Sequence, residues 1–168
     1  MFFFRDYTRT PTGISTMKRY TNENMKHWIP LIIGVLALMG MVDSEYLTLA
    51  HYRVIDPLSL ESVGVCKVSA RSCSSLIMSP DASIAGIPHA LLGAAYFAVI
   101  LGAVAIRLLI GRWFAPWEML GFLLAGLAFS AYLTQELVLR LHVPCPFCLT
   151  AHSINVIVLA LYAISAES

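Results

Sequence analysis

The sequence predicts an all-α integral membrane protein, a four-helix bundle with a long outer loop between its first and second helices. Three observations carry that prediction. Of 168 residues, 58% are hydrophobic and 12% charged, against roughly 25% charged in soluble globular domains. Four apolar stretches each reach the ~20 residues a helix needs to cross a bilayer. The net charge is only +1 and the basic residues are spread along the chain, so the electrostatic stripe of a nucleic-acid binder is missing and no nucleic-acid partner is expected.

The first span is read at 28–50: it carries no charge from Ile29 to Val42, then meets Asp43 and Glu45 in its outer third, where they could line a cavity mouth but solvation at the interface is the simpler account. The second is read at 87–110, with Arg107 late enough to snorkel toward the headgroups. The third is read at 116–139, where Pro116 suits a first helical turn and Glu118 the positive end of the helix dipole. The fourth is read at 145–164, and the outer loop at 51–86. These spans form one membrane domain, 28–165, after a polar and aperiodic tail, 1–27, expected to be disordered, in which Met17 is an alternative start.

Seven of the eleven lysines and arginines, namely Arg5, Arg9, Lys18, Arg19, Lys26, Arg107 and Arg112, fall on one side of these spans. The positive-inside rule therefore puts both termini in the cytoplasm. Asp43 and Glu45, between the first apolar run and the Thr-Leu-Ala that precedes His51, argue against a cleaved signal peptide. Ser-x-Tyr-Leu-Thr occurs twice, at 44–48 and 130–134, near the outer ends of the outward-running helices. Two readings stay open: interfacial tyrosines with hydroxyls bonded to the helix backbone, or a shared role in lining one cavity.

Chemistry rests on four cysteines, Cys66, Cys73, Cys145 and Cys148, all on the outer side in this topology. In a bacterium that side is oxidising, so paired thiols there can form disulfides, although four cysteines allow three connectivities. Pro144 and Pro146 frame Cys145 as an N-cap and make Cys148 the third helical residue. Unpaired N–H groups and the positive dipole end beside the sulfurs favour a thiolate and hence exchange chemistry. His152 at i+4 and Asn155 at i+7 share the stripe of Cys148, which suggests a cavity with a redox sulfur, a proton donor and an amide on one wall. His89 is a second candidate proton donor, whereas His27, His51 and His142 are expected to face water or headgroups.

Two other function classes compete. Disulfides bracing outer loops would make a structural surface protein, but a two-residue loop restrains the unfolded chain little. Soft thiolates could also carry copper or zinc in a metal transporter. No cysteine lies at mid-membrane or on the cytoplasmic side to pass a metal on, and no metal site is expected.

The order of a loop cysteine pair, then "SPDASIAGIPHALLGAAYF", then Cys-Pro-Phe-Cys opening the last helix resembles the bacterial homologues of vitamin K epoxide reductase over roughly residues 28–165. The bacterial quinone-linked disulfide oxidase has its cysteine pairs in the reverse order. The resemblance implies a bundle around a membrane quinone, ubiquinone or menaquinone, in the cytoplasmic (inner) membrane. It also implies electrons from a thioredoxin-like periplasmic oxidase to Cys66 and Cys73, then to Cys145 and Cys148, then to the quinone. Cys66 would exchange with the partner, Cys73 would attack Cys145, Cys148 would face the quinone ring, and Ser79 would lie beside its head group. His89, His152 and Asn155 would complete the pocket.

Many bacterial relatives carry a fused thioredoxin-like domain; this chain has no second Cys-x-x-Cys, so the partner is expected in trans. Animal enzymes have a tyrosine where His152 stands, which favours plain quinone reduction over epoxide reduction. A periplasmic oxidant of the thioredoxin fold can sit near about −120 mV, and a quinone pool is the kind of acceptor that can regenerate it.

Overall fold

The structure, a computed structural model, describes residues 12–56, 82–140 and 145–166, with side chains over 28–56, 82–139 and 145–165. Cys66, Cys73, Ser79 and His142 lie outside the described residues, as does the side chain of His27. Among the described residues four helices make the fold: α1 Thr12–His51, α2 His89–Ile110, α3 Pro116–Gln135 and α4 Pro146–Ala166. A π-helical turn, Glu136–Arg140, continues α3. Within them, Trp28–His51, His89–Ile110, Pro116–Leu139 and Pro146–Ser165 are each long and apolar enough to cross a bilayer. The chain is a multi-pass, all-α membrane protein.

Two boundaries differ from expectation. Helix α1 begins at Thr12 rather than near Trp28, so residues 12–27 are helical where a disordered tail was expected. Extending a helix that packing has already nucleated adds one bond per residue fixed, and the polar residues after Thr12 include no proline to stop it. Ile87 and Pro88, expected to open α2, instead pair with Ser83 and Ile84 in a two-stranded antiparallel hairpin, β1 Ser83–Ile84 and β2 Ile87–Pro88. The two-residue turn between the strands, Ala85 and Gly86, has both φ positive, 53° and 82°, the geometry whose twist matches a hairpin. Pro88 then serves as the N-cap, and His89 is the first residue of α2 rather than lying three residues inside it.

Helix α1 packs against α2 and α4, and α4 against α3. The shared core runs through Ile33, Ala37, Phe97, Ile100, Leu123 and Val158. Gly40 lets α1 and α2 approach closely, because a Cβ there would lie 2.5 Å from the Phe97 ring. Large apolar side chains such as Leu31, Val35, Leu38, Val99, Leu124 and Val156 point outward, as they must when the surrounding solvent is hydrocarbon. Glu45 is exposed, but Asp43 is not.

One end of the bundle is closed by side chains from the α2–α3 connection and the end of α4. Trp113 Nε1–H donates to Ser165 Oγ at 3.2 Å, Ser165 donates to the Tyr162 carbonyl at 2.9 Å, and Tyr162 O–H donates to the Pro116 carbonyl at 2.8 Å. Trp113 and Tyr162 meet edge to face, 4.9 Å between centroids. Arg107, expected to snorkel toward the headgroups, lies over the ring of Trp113, beyond the helix end, at 5.9 Å, where a cation gains attraction from the indole face. Trp113→Ala should therefore cost about 3–5 kcal/mol of stability. The check is a lowered thermal midpoint in detergent, with thiol chemistry at the opposite end unchanged.

Candidate active site

The opposite end begins where α4 begins. Pro146 occupies the first helical position, where it has no intrahelical N–H to lose. The Cys145 carbonyl accepts the first helical bond from Leu149 N–H at 3.0 Å. Its sulfur does the work of a capping oxygen and accepts the Cys148 N–H at 3.5 Å. Cys148 Sγ–H also donates to Cys145 Sγ at 2.9 Å. Both are free thiols, close enough to join as a disulfide. The hydrogen bond from the Cys148 thiol, helped by backbone N–H groups, holds the Cys145 thiol below the ordinary thiol range, although burial pulls the other way. Cys145 is fully buried, whereas Cys148 is partly exposed.

Cys148 is exposed to a cavity of about 430 Å³ between the halves of the four helices nearest this end, within the usual range for a small-molecule site. Cys148, His152 and Asn155 line one wall from α4, in line with their i, i+4, i+7 spacing. His89 lines the wall of α2, its ring edge-on to Phe129 of α3 at 6.0 Å. Ser44 and Ser130, the serines of the Ser-x-Tyr-Leu-Thr repeat, both line the cavity. The repeat's threonines bond back to the helix, Thr48 Oγ1 to the Ser44 carbonyl at 2.7 Å and Thr134 Oγ1 to the Ser130 carbonyl at 2.8 Å. The cavity-lining reading is thus realised by the serines, and the backbone-bonded hydroxyls of the other reading by the threonines. His51, expected to face water or headgroups, also lines this cavity, since the last turn of α1 closes over it.

Sequence reasoning missed the group that holds Asn155. Tyr96 O–H donates to Asn155 Oδ1 at 2.6 Å, and Asn155 Nδ2–H donates to Ser130 Oγ at 3.0 Å. Asn155 is buried, so its amide is engaged at both ends and acts on the cavity largely through the Tyr96 phenol. The Tyr96 ring stacks on Phe122 at 4.8 Å and sits edge-on to Phe97 at 5.4 Å. Gly126 provides the space for it, because a Cβ there would stand 2.4 Å from the ring. The available signal was Tyr96's position, two turns beyond His89 on the same face of α2.

A thiol pair open on one side to an apolar cavity with imidazole and phenol groups can exchange disulfides and hand electrons and protons to a flat apolar acceptor. The donor set fits a quinone: aromatic walls for a ring, and His89 and His152 as hydrogen-bond donors for carbonyl oxygens. The sequence matches the model of the vitamin K epoxide reductase family over residues 31–163. No curated protein matches the chain.

Proposed function

The chain belongs to the vitamin K epoxide reductase family, membrane thiol–disulfide oxidoreductases that work with quinones, and from that premise we propose the route its electrons take. The protein reoxidises a thioredoxin-like disulfide donor acting in trans on the periplasmic side of the bacterial inner membrane. Electrons pass through Cys66 and Cys73 to Cys145 and Cys148, and then to ubiquinone or menaquinone, which supports disulfide formation in exported proteins. Both termini face the cytoplasm and the four cysteines the periplasm.

The observation that carries this reading is the position of Cys148, bonded to Cys145 on one side and open to the cavity on the other. An incoming thiolate, assigned to Cys73, attacks Cys145 Sγ; the Cys145–Cys148 bond breaks and Cys148 leaves as a thiolate. A second thiol then releases Cys145, and the reduced pair stands ready. A quinone in the cavity supplies an acceptor for two electrons and two protons. Cys148 would present its sulfur to that acceptor, and His89 and His152, which line the same cavity, would supply protons to its oxygens. Phe122, Phe129 and Leu133 exclude water, and Tyr96, fixed by Asn155, limits where the ring can sit. Ser79 is assigned to the same head group from the resemblance.

The test is capture of the partner. With Cys73→Ala, Cys66 is left as a single thiol: its thiolate is expected to attack the disulfide of the oxidised partner, one partner sulfur leaves as a thiolate, and no Cys73 remains to resolve the link. A mixed disulfide between Cys66 and a thioredoxin-fold protein should then accumulate in cells, visible on non-reducing gels and absent from Cys66→Ala. A chain whose Cys66 never joins another protein would sink this route.

A further inference from the structure

Asp43 is a half-buried carboxylate, one of its oxygens fully enclosed, that the route above leaves unused. It lies within a membrane-spanning helix, and its Oδ2 is buried with no hydrogen-bond partner among the described residues. A lone carboxylate at that depth is costly, and such groups mark proton or ion handling more often than packing. Ser44 and Leu47 from the same part of α1 line the cavity, but Asp43 does not. It sits beside the seam where Tyr46, Leu47 and Ala50 of α1 pack on Phe147 and Cys148 of α4. There it interacts electrostatically with both Cys145 and Cys148.

Cys145 has the complementary problem. Its sulfur is fully buried and takes no part in the cavity wall, so a proton leaving it has neither water nor cavity to enter. We propose that Asp43 carries the proton of the Cys145–Cys148 pair through each redox cycle, a role that rests on the oxidoreductase reading above.

When the pair is oxidised, the Cys145–Cys148 bond forms, two electrons leave the sulfurs for the acceptor, and the Cys145 proton moves to Asp43 Oδ2. Cys148 gives its proton across the cavity to the acceptor, and a cavity histidine gives the second. When an incoming thiolate attacks Cys145 and the bond breaks, Cys148 leaves as a thiolate and recovers a proton from Asp43. The second incoming thiol protonates Cys145 as it is released, and water recharges the histidine with the proton the first thiol gave up. The sum is dithiol plus quinone giving disulfide plus quinol, with Asp43 unchanged.

The titratable groups on neighbouring turns of the elements packed against α1 are Cys145, Cys148 and His152 of α4 and His89 and Tyr96 of α2. Glu45 and Tyr46 flank Asp43 on α1 itself. The test isolates one thiol: in full-length protein with Cys66, Cys73 and Cys148 replaced by serine, the ultraviolet absorbance of the Cys145 thiolate is followed against pH. Two groups that share a proton titrate in two steps that belong to the pair. Two steps are therefore expected with Asp43 or Asp43→Glu, and one with Asp43→Asn. In protein with all four cysteines, Asp43→Asn should lower dithiol-driven quinone turnover by about tenfold or more, and Asp43→Glu should restore most of it.

A single step at the same pH with and without the carboxylate overturns the proposal, as does Asp43→Asn turnover within roughly twofold of the parent. Should Asp43→Asn fail to fold, Asp43→Ser makes the same comparison. If the unmodified protein reduces no quinone, the oxidoreductase reading falls, and the proton exchange with Cys145 is decided by the titration alone.

Discussion

Replacing Cys148 by alanine is expected to bring dithiol-driven quinone reduction down to the uncatalysed rate while leaving the fold intact. Of the two described sulfurs, only Cys148 reaches the cavity; Cys145 is sealed behind it. Without Cys148 the incoming disulfide chemistry ends at Cys145, which has no second sulfur to close with and no acceptor in reach. The substitution also removes the strongest donor to the Cys145 sulfur. The folded Cys145 thiol is held below its ordinary range by that bond, so its thiolate is present at lower pH than in an unrestrained thiol. In Cys148→Ala the thiolate should form only at higher pH, and exchange at Cys145 near neutral pH should slow. Cys148→Ser separates the two effects: a hydroxyl can still donate, so Cys145 should keep much of its low-pH thiolate while turnover stays lost. Quinone reduction is read from the loss of quinone absorbance with a reduced dithiol donor. Full turnover in single alanine variants of all four cysteines would rule out the thiol oxidase reading.

The site-bearing half of α4 was legible because short-range rules fix it. The proline frame of Cys145 sets the helix start, and a 3.6-residue period then puts Cys148, His152 and Asn155 on one wall whatever the other helices do. The four spans were legible for a similar reason, since length and apolarity are local properties. The direction in which a nearly all-apolar helix faces is not local. Asp43 looked like an interfacial carboxylate because it falls in the outer third of α1, yet the rotation of α1 against α4 encloses one of its oxygens. No amphipathic pattern in that helix could have reported the rotation. The partner of Arg107 was not legible for the same reason, because Trp113 arrives from a turn beyond the helix end. Tyr96 depends on a glycine of another helix, and such a cross-helix fit leaves no periodic trace in either segment.

That glycine gives a prediction that depends on a single carbon. Gly126→Ala is expected to raise the KM for quinone while the Cys145–Cys148 pair still cycles with a dithiol. On propensity alone the change should help α3, since alanine is favoured over glycine in a helix interior by about 0.8–1.0 kcal/mol. The added Cβ would nevertheless stand 2.4–2.5 Å from the Tyr96 ring and its hydroxyl oxygen, a contact that must be relieved. A long flexible side chain would relieve it easily. Tyr96 is instead held on its face by Phe122, at its edge by Phe97 and at its hydroxyl by Asn155. Forcing an extra carbon into such packing costs about 1–3 kcal/mol, more than the propensity gain at the upper end and comparable to it at the lower. The least blocked way out for the ring is the cavity itself, whose wall it forms. Strain of that size taken out of ligand binding corresponds to about 5- to 150-fold weaker affinity. Pairing the substitution with Tyr96→Leu removes the ring that clashes and should return KM toward the parent value, so the two changes together cost less than their sum. An unchanged KM in Gly126→Ala, with only the thermal midpoint moved, would mean that the Tyr96 ring packs the bundle without bordering the place where the quinone binds.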